Sequence, residues 1–132
     1  MSGLVYLASP YSSPDADVRE QRFRTVCKVA AILMRKGIKV FSPIAHTHSI
    51  ALAGELPTDY AFWREYDEAI LEFCSAFYII LMDGWASSEG VRAEAQTAEI
   101  MGISIRFVSE TGEVLDLAEW GEVLKKGLIR SQ

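Results

Sequence analysis

The sequence predicts an α/β fold: one doubly wound parallel sheet of four to five strands, flavodoxin- or Rossmann-like, with helices on both faces. Three observations carry this prediction. Short apolar runs alternate with longer amphipathic stretches, the strand–helix–strand rhythm of a parallel sheet. Right-handed crossovers then leave few possible strand orders. The chain has 132 residues, 50% of them hydrophobic and 23% charged, which suits one compact core. No linker, repeat or low-complexity segment divides it, so residues 1–132 are expected to form one domain.

The elements follow in order. "LVYLA" (4–8) is the first strand. "SPYSSPDAD" (9–17) is a turn-rich loop broken by Pro10 and Pro14. Asp15 or Asp17 can cap the next helix, because a side-chain carboxylate accepts from its exposed N–H groups. That helix runs to about Lys36, with Phe23, Val26, Ala30 and Leu33 on one face, and Gly37 ends it. "IKVFSP" (38–43) is a second strand stopped by Pro43. Residues 44–58 are expected to form a long connection with at most a helical turn, the kind of loop that often serves binding. A helix covers about 58–73, and "AFYIILM" (76–82) is the most strand-like run. "DGWASS" is a loop, and the helix after it ends at Gly102. "SIRFVS" (104–109) is a fourth strand, "ETG" a turn, "EVLDL" a short fifth strand, and 117–128 a terminal helix.

Ligands of such sheets bind at the carboxyl ends of the strands. Those ends carry Ser9 and Tyr11, then Ser42 with His46 and His48, then Asp83, Trp85, Ser87 and Ser88, then Ser109. Two carboxylates break the helical pattern nearby. At about 100° per residue, Val91, Ala95, Ala98 and Met101 share a face, and Glu94 falls between Ala98 and Met101. Glu89, Arg92 and Glu99 point the other way. In the helix from 58 to 73, Asp67 falls among Tyr60, Trp63, Ile70, Leu71 and Cys74, while Glu65, Glu68 and Glu72 face away. A buried unpaired carboxylate is expensive, so each must be paired, neutralised or open to a cavity. A buried ion pair or a loop cap is the plain account of one such residue. Two of them flanking one sheet end point instead to an acid/base pair in a cleft.

Ser88 is placed to cap the helix that carries Glu94, and Gly90 allows close backbone approach. A helix N-terminus presents free N–H groups and a positive dipole end to an anion. Plain capping is the alternative for Ser88. Trp85 either stacks on a base or covers the sheet edge, and Tyr6 either lines the pocket or is a core strand residue.

Composition excludes other classes. The formal net charge of −5 argues against a protein that coats a nucleic-acid polymer. No apolar run approaches the roughly 20 residues of a membrane span. The N-terminal stretch lacks the features of a signal peptide, so a cytoplasmic location is expected. Cys27 and Cys74 are expected to be buried thiols. His46 and His48 form an H-x-H pair without a third ligand in view, so neither a metal nor another cofactor is expected.

At these residues the sequence resembles the nucleoside 2-deoxyribosyltransferase superfamily, which includes deoxynucleoside-monophosphate N-glycosidases. "VYLASPYS" (5–12) resembles the family's first strand and loop, where a Tyr and small residues line the sugar and base pocket. Asp67 in "WREYDEAI" resembles the helical Asp that orients or protonates the leaving base. "SEGVRAE" (88–94) resembles an S-x-G-V-x-x-E pattern whose Glu is the nucleophile and whose Ser helps hold a 5′-phosphate. "FSPIAHTHS" and "DGWASS" depart from that pattern. The resemblance implies cleavage or transfer at the N-glycosidic bond of a (deoxy)nucleoside or nucleoside monophosphate. Glu94 and Asp67 are then catalytic, and Tyr6, Ser9, Tyr11, Ser88 and Gly90 bind the substrate; His46, Asp83 and Trp85 are added as substrate-binding candidates from their place on the strand-end rim. It also implies a homo-oligomer, with Phe62, Trp63 and Trp120 as candidate interface aromatics. A non-catalytic nucleotide-binding or nucleotide-sensing domain, or a purely structural protein, are the competing classes.

Overall fold

A computed structural model describes residues 3–115. The first strand, β1 (Val5–Ala8), is buried along its whole length, which is why it reads as a continuous apolar run. It lies between β2 (Val40–Phe41) and β3 (Ala76–Ile80), parallel to both. β4 (Ser104–Val108) pairs parallel with β3, and β5 (Val114–Leu115) pairs antiparallel with β4. The sheet order is β2-β1-β3-β4-β5, the flavodoxin-like order. The expectation of an all-parallel sheet is corrected at its last strand. β5 returns through a tight turn in which the Gly112 N–H donates to the Ser109 carbonyl, and so short a return can only join antiparallel neighbours.

The pleat divides β1 between two cores. Val5 and Leu7 pack with Val26, Val29 and Leu33 of α1 (Ala16–Arg35). Tyr6 and Ala8 pack on the other face with Leu71 of α3 (Tyr60–Leu71) and with Val91 and Ala98 of α4 (Glu89–Ile100). Helices therefore cover both faces. Asp15 caps α1 by accepting from the Asp17 N–H at 2.9 Å.

Residues 43–54 are a helix, α2 (Pro43–Gly54), where the sequence suggested a loop. Pro43 stops β2 but also starts α2, since proline suits the first helical turn. Ser42 caps it by accepting from the Ala45 N–H at 3.0 Å. Met101 is 40% exposed rather than buried, because α4 ends one residue earlier. Cys74 is buried but Cys27 is only partly so. The expected terminal helix and Trp120 lie outside the described residues. Among those described, no helix is long and apolar enough to cross a membrane.

Candidate active site

β1 and β3 are neighbours whose following chains leave to opposite faces of the sheet, which opens a crevice at their carboxyl ends. A cavity of about 410 Å³ occupies it. Ser9 and Tyr11 line it from the loop after β1, Gly84 and Ser88 from the loop after β3, and Asp67 and Glu94 from α3 and α4.

Glu94 is 7% exposed and Asp67 8%. Glu94 sits on the inward face of α4 because Val91 and Ala98 are three and four residues away on that face. The period of β1 aims Tyr6 at the same helices. Its ring stacks on Phe77, and its hydroxyl donates to Glu94 Oε2 at 2.5 Å. The Asp67 and Glu94 carboxyls stand close enough that each shifts the other's titration.

The ion pairs among the described residues are Arg24–Glu20, His48–Glu20 and Arg64–Glu68. None of them neutralises Asp67 or Glu94. Among the described residues no donor faces the buried Asp67 Oδ1, which a proton shared with Glu94 would satisfy. Burial pushes the Asp67 carboxyl up to about 6, against an opposing hydrogen bond from Glu94. Burial, and then the Asp67 charge, hold Glu94 well above the usual carboxylate range, while the Tyr6 hydrogen bond pulls it down. Two adjacent carboxyls in this setting hold one proton between them near neutral pH. Burial and the same two charges raise the Tyr6 phenol well above its ordinary value, so it stays a neutral donor.

The far wall holds a cation that the sequence reading missed. Arg22, from α1, lines the cavity and donates to the Ser12 carbonyl at 2.9 Å. Its Nη2 lies 2.7 Å from where a Cβ on residue 84 would stand. Gly84 also has φ +90°, a conformation that favours glycine. No local spacing ties an arginine on α1 to a glycine after β3; only the fold does. Gly90 has a similar steric role. A Cβ there would stand 3.2 Å from Cδ1 of Tyr60, so the glycine seats a tyrosine ring against α4.

The predicted site residues divide. Asp67, Glu94, Ser9, Tyr11, Ser88 and Gly90 line the cavity. Tyr6 stands behind Glu94 without lining the cavity. The Ser88 hydroxyl is taken up in capping, accepting from the Val91 N–H at 3.1 Å. His46 is exposed and hydrogen-bonded to Tyr66 at 3.0 Å. Asp83 is exposed. Trp85 rests edge-on against Phe107, the sheet-covering arrangement. None of these last three lines the cavity. His48 is buried behind Tyr11. Among the described residues no group of three or more His, Cys, Asp or Glu side chains is arranged to hold a metal ion.

Fold and site together define a flavodoxin-like α/β domain with a buried carboxyl pair at its switch-point cavity. The chain belongs to the family described as Domain of unknown function (DUF1937), whose family model matches residues 3–110. Among solved structures it is similar to a 2-deoxyribosyltransferase from the psychrotolerant bacterium Bacillus psychrosaccharolyticus. The two are 22% identical, with a TM-score of 0.54, over 92% of this chain and 90% of that one. This likeness establishes the fold. A comparison with curated proteins finds no match.

Proposed function

We propose that the cavity binds a nucleoside or nucleoside monophosphate, and that the protein cleaves or transfers at the N-glycosidic bond. That two buried carboxyls, Asp67 and Glu94, meet at one cavity is the observation that carries this reading. One proton on two carboxyls supplies both an acid and a nucleophile. In the reacting form the proton passes from Glu94 to Asp67, and Glu94, as carboxylate steadied by the Tyr6 hydroxyl, attacks the anomeric carbon. The C–N bond breaks, its electron pair leaves with the base, and Asp67 gives that base its proton. Water or a second base then displaces Glu94 with a second inversion, the proton returning to Asp67.

Arg22 and the first-turn amides of α4, which lack intrahelical acceptors, suit a phosphate on the substrate. The similar structure's name, 2-deoxyribosyltransferase, supports a glycosyl-transfer reading of this fold. A cytoplasmic homo-oligomer belongs to the same reading, with the exposed Phe62 beside Trp63 at the interface; sedimentation checks the assembly.

The test is a panel of nucleosides and nucleoside monophosphates, with free base followed by chromatography. Base release should occur with the wild type and fall by roughly 1,000-fold or more in Glu94→Gln, with the circular dichroism unchanged. Turnover retained by Glu94→Gln removes the nucleophile. Tight binding of a nucleotide with no product after prolonged incubation favours a sensing domain instead.

A further inference from the structure

Glu20, His48 and Tyr11 form a hydrogen-bonded chain that ends in the cavity wall and that the proposed reaction leaves unused. His48, on α2, is 4% exposed. Its ring stacks on Phe23 with centroids 4.2 Å apart. Nε2 lies 2.9 Å from Glu20 Oε1, and Nδ1 lies 2.7 Å from the Tyr11 hydroxyl. Tyr11 lines the cavity, whereas His48 does not. The Arg19 guanidinium is near enough to Tyr11 to act on its phenol and donates to the Ser13 carbonyl.

Donor rules fix the direction of this chain. The hydrogen bond from His48 is the leading cause that holds the Glu20 carboxyl below its ordinary value. As a carboxylate Glu20 only accepts, so Nε2 carries a proton. In a neutral imidazole the other ring nitrogen is an acceptor. A second proton on Nδ1 would leave the Tyr11 proton without this acceptor. Nδ1 is therefore bare, and Tyr11 donates to it. Both donors then point the same way, from Tyr11 through His48 to Glu20, and each bond strengthens the next.

We propose that Glu20 and His48 are positioning residues that make Tyr11 a hydrogen-bond acceptor in the cavity. With its proton committed to His48, the phenol offers the ligand a lone pair. It therefore recognises an O–H or N–H donor of the nucleoside, and not a phosphate or a carbonyl. A phosphate belongs at Arg22, which is held on the Ser12 carbonyl beside Gly84. The choice of a nucleoside as ligand rests on the proposed function; the chain of hydrogen bonds is tested without it.

Nitrogen-resolved NMR of the ligand-free protein should show His48 protonated at Nε2 and bare at Nδ1. The opposite tautomer, or an imidazolium at neutral pH, overturns the assignment. Three variants then test the role, with adenosine and cytidine monophosphates as probes of binding and turnover. His48→Gln keeps an acceptor toward Tyr11 and a donor toward Glu20, so it should stay within about twofold of wild type. His48→Leu and Tyr11→Phe should weaken binding or raise KM by about tenfold, with kcat within about twofold. Equal effects of His48→Gln and His48→Leu overturn the positioning role, as does unchanged binding in Tyr11→Phe. If His48→Leu fails to fold, the glutamine and phenylalanine variants still decide. If neither probe binds the wild type, the nucleoside reading fails and the ligand half of this inference falls with it, while the NMR result still judges the chain itself.

Discussion

Replacing Asp67 by asparagine should stabilise the protein above pH 6 while removing its chemistry. Burial raises the Asp67 carboxyl from 3.8 to about 6. A carboxyl with a folded pKa above its unfolded value keeps a proton that the unfolded chain releases. Its contribution is therefore fully present below about pH 4 and is lost as pH rises through 6. The rise corresponds to about 3 kcal/mol. Water in the adjoining cavity screens part of it, leaving about 2 kcal/mol. Glu94, raised in the same direction, extends the loss to higher pH. Asparagine does not titrate, and its amide can donate to the Glu94 carboxylate. The stability difference between variant and wild type should be near zero at pH 4 and about 2 kcal/mol in the variant's favour at pH 8. That is roughly 8 °C in Tm. Urea unfolding followed by tryptophan fluorescence at pH 4, 6 and 8 measures it, and the difference cancels the titration common to both proteins. Turnover should fall by about 10² to 10⁴, the usual weight of a positioned proton donor. A difference that does not grow with pH, or a wild type more stable at pH 8, would refute the shared-proton argument.

Tyr6→Phe removes the 2.5 Å hydrogen bond that pulls Glu94 down. The acid limb of the pH–rate profile should move to higher pH and turnover at pH 7 should fall about tenfold; an unmoved limb counts against the bond's role. Gly84→Ala sets a Cβ 2.7 Å from Arg22 Nη2 at φ +90°. It should lower stability by about 1–3 kcal/mol and weaken monophosphate binding more than nucleoside binding, which calorimetry reads directly. Tyr60→Phe deletes a buried hydroxyl that has no hydrogen-bond partner among the described residues. Thermal melts should show no loss of stability and up to about 1 kcal/mol of gain, and a clear loss would mean that the hydroxyl is paired in solution.

The alternation of strands and helices is written in local periodicity, because a backbone repeat of 2 or 3.6 residues dictates which side chains share a face. The same periodicity exposes Asp67 and Glu94 as carboxylates on inward faces. It misplaces residues 44–54, because Pro43 reads equally as the end of a strand and as the first turn of a helix. It misses the direction of β5, which hangs on a turn of a few residues. His46, Asp83 and Trp85 sit near strand ends in the sequence, yet exposure or packing takes them out of the cavity.

What the chain alone determines is thus the set of elements and the two misplaced acids, since each follows from neighbours within a turn or two. That Tyr6 steadies Glu94 from 88 residues away, that His48 holds Tyr11 across 37, and that Arg22 meets Gly84 are decided only by the tertiary structure. Such contacts arise from strand order and the placement of crossovers. These act through space between segments whose spacing along the chain carries no trace of their distance.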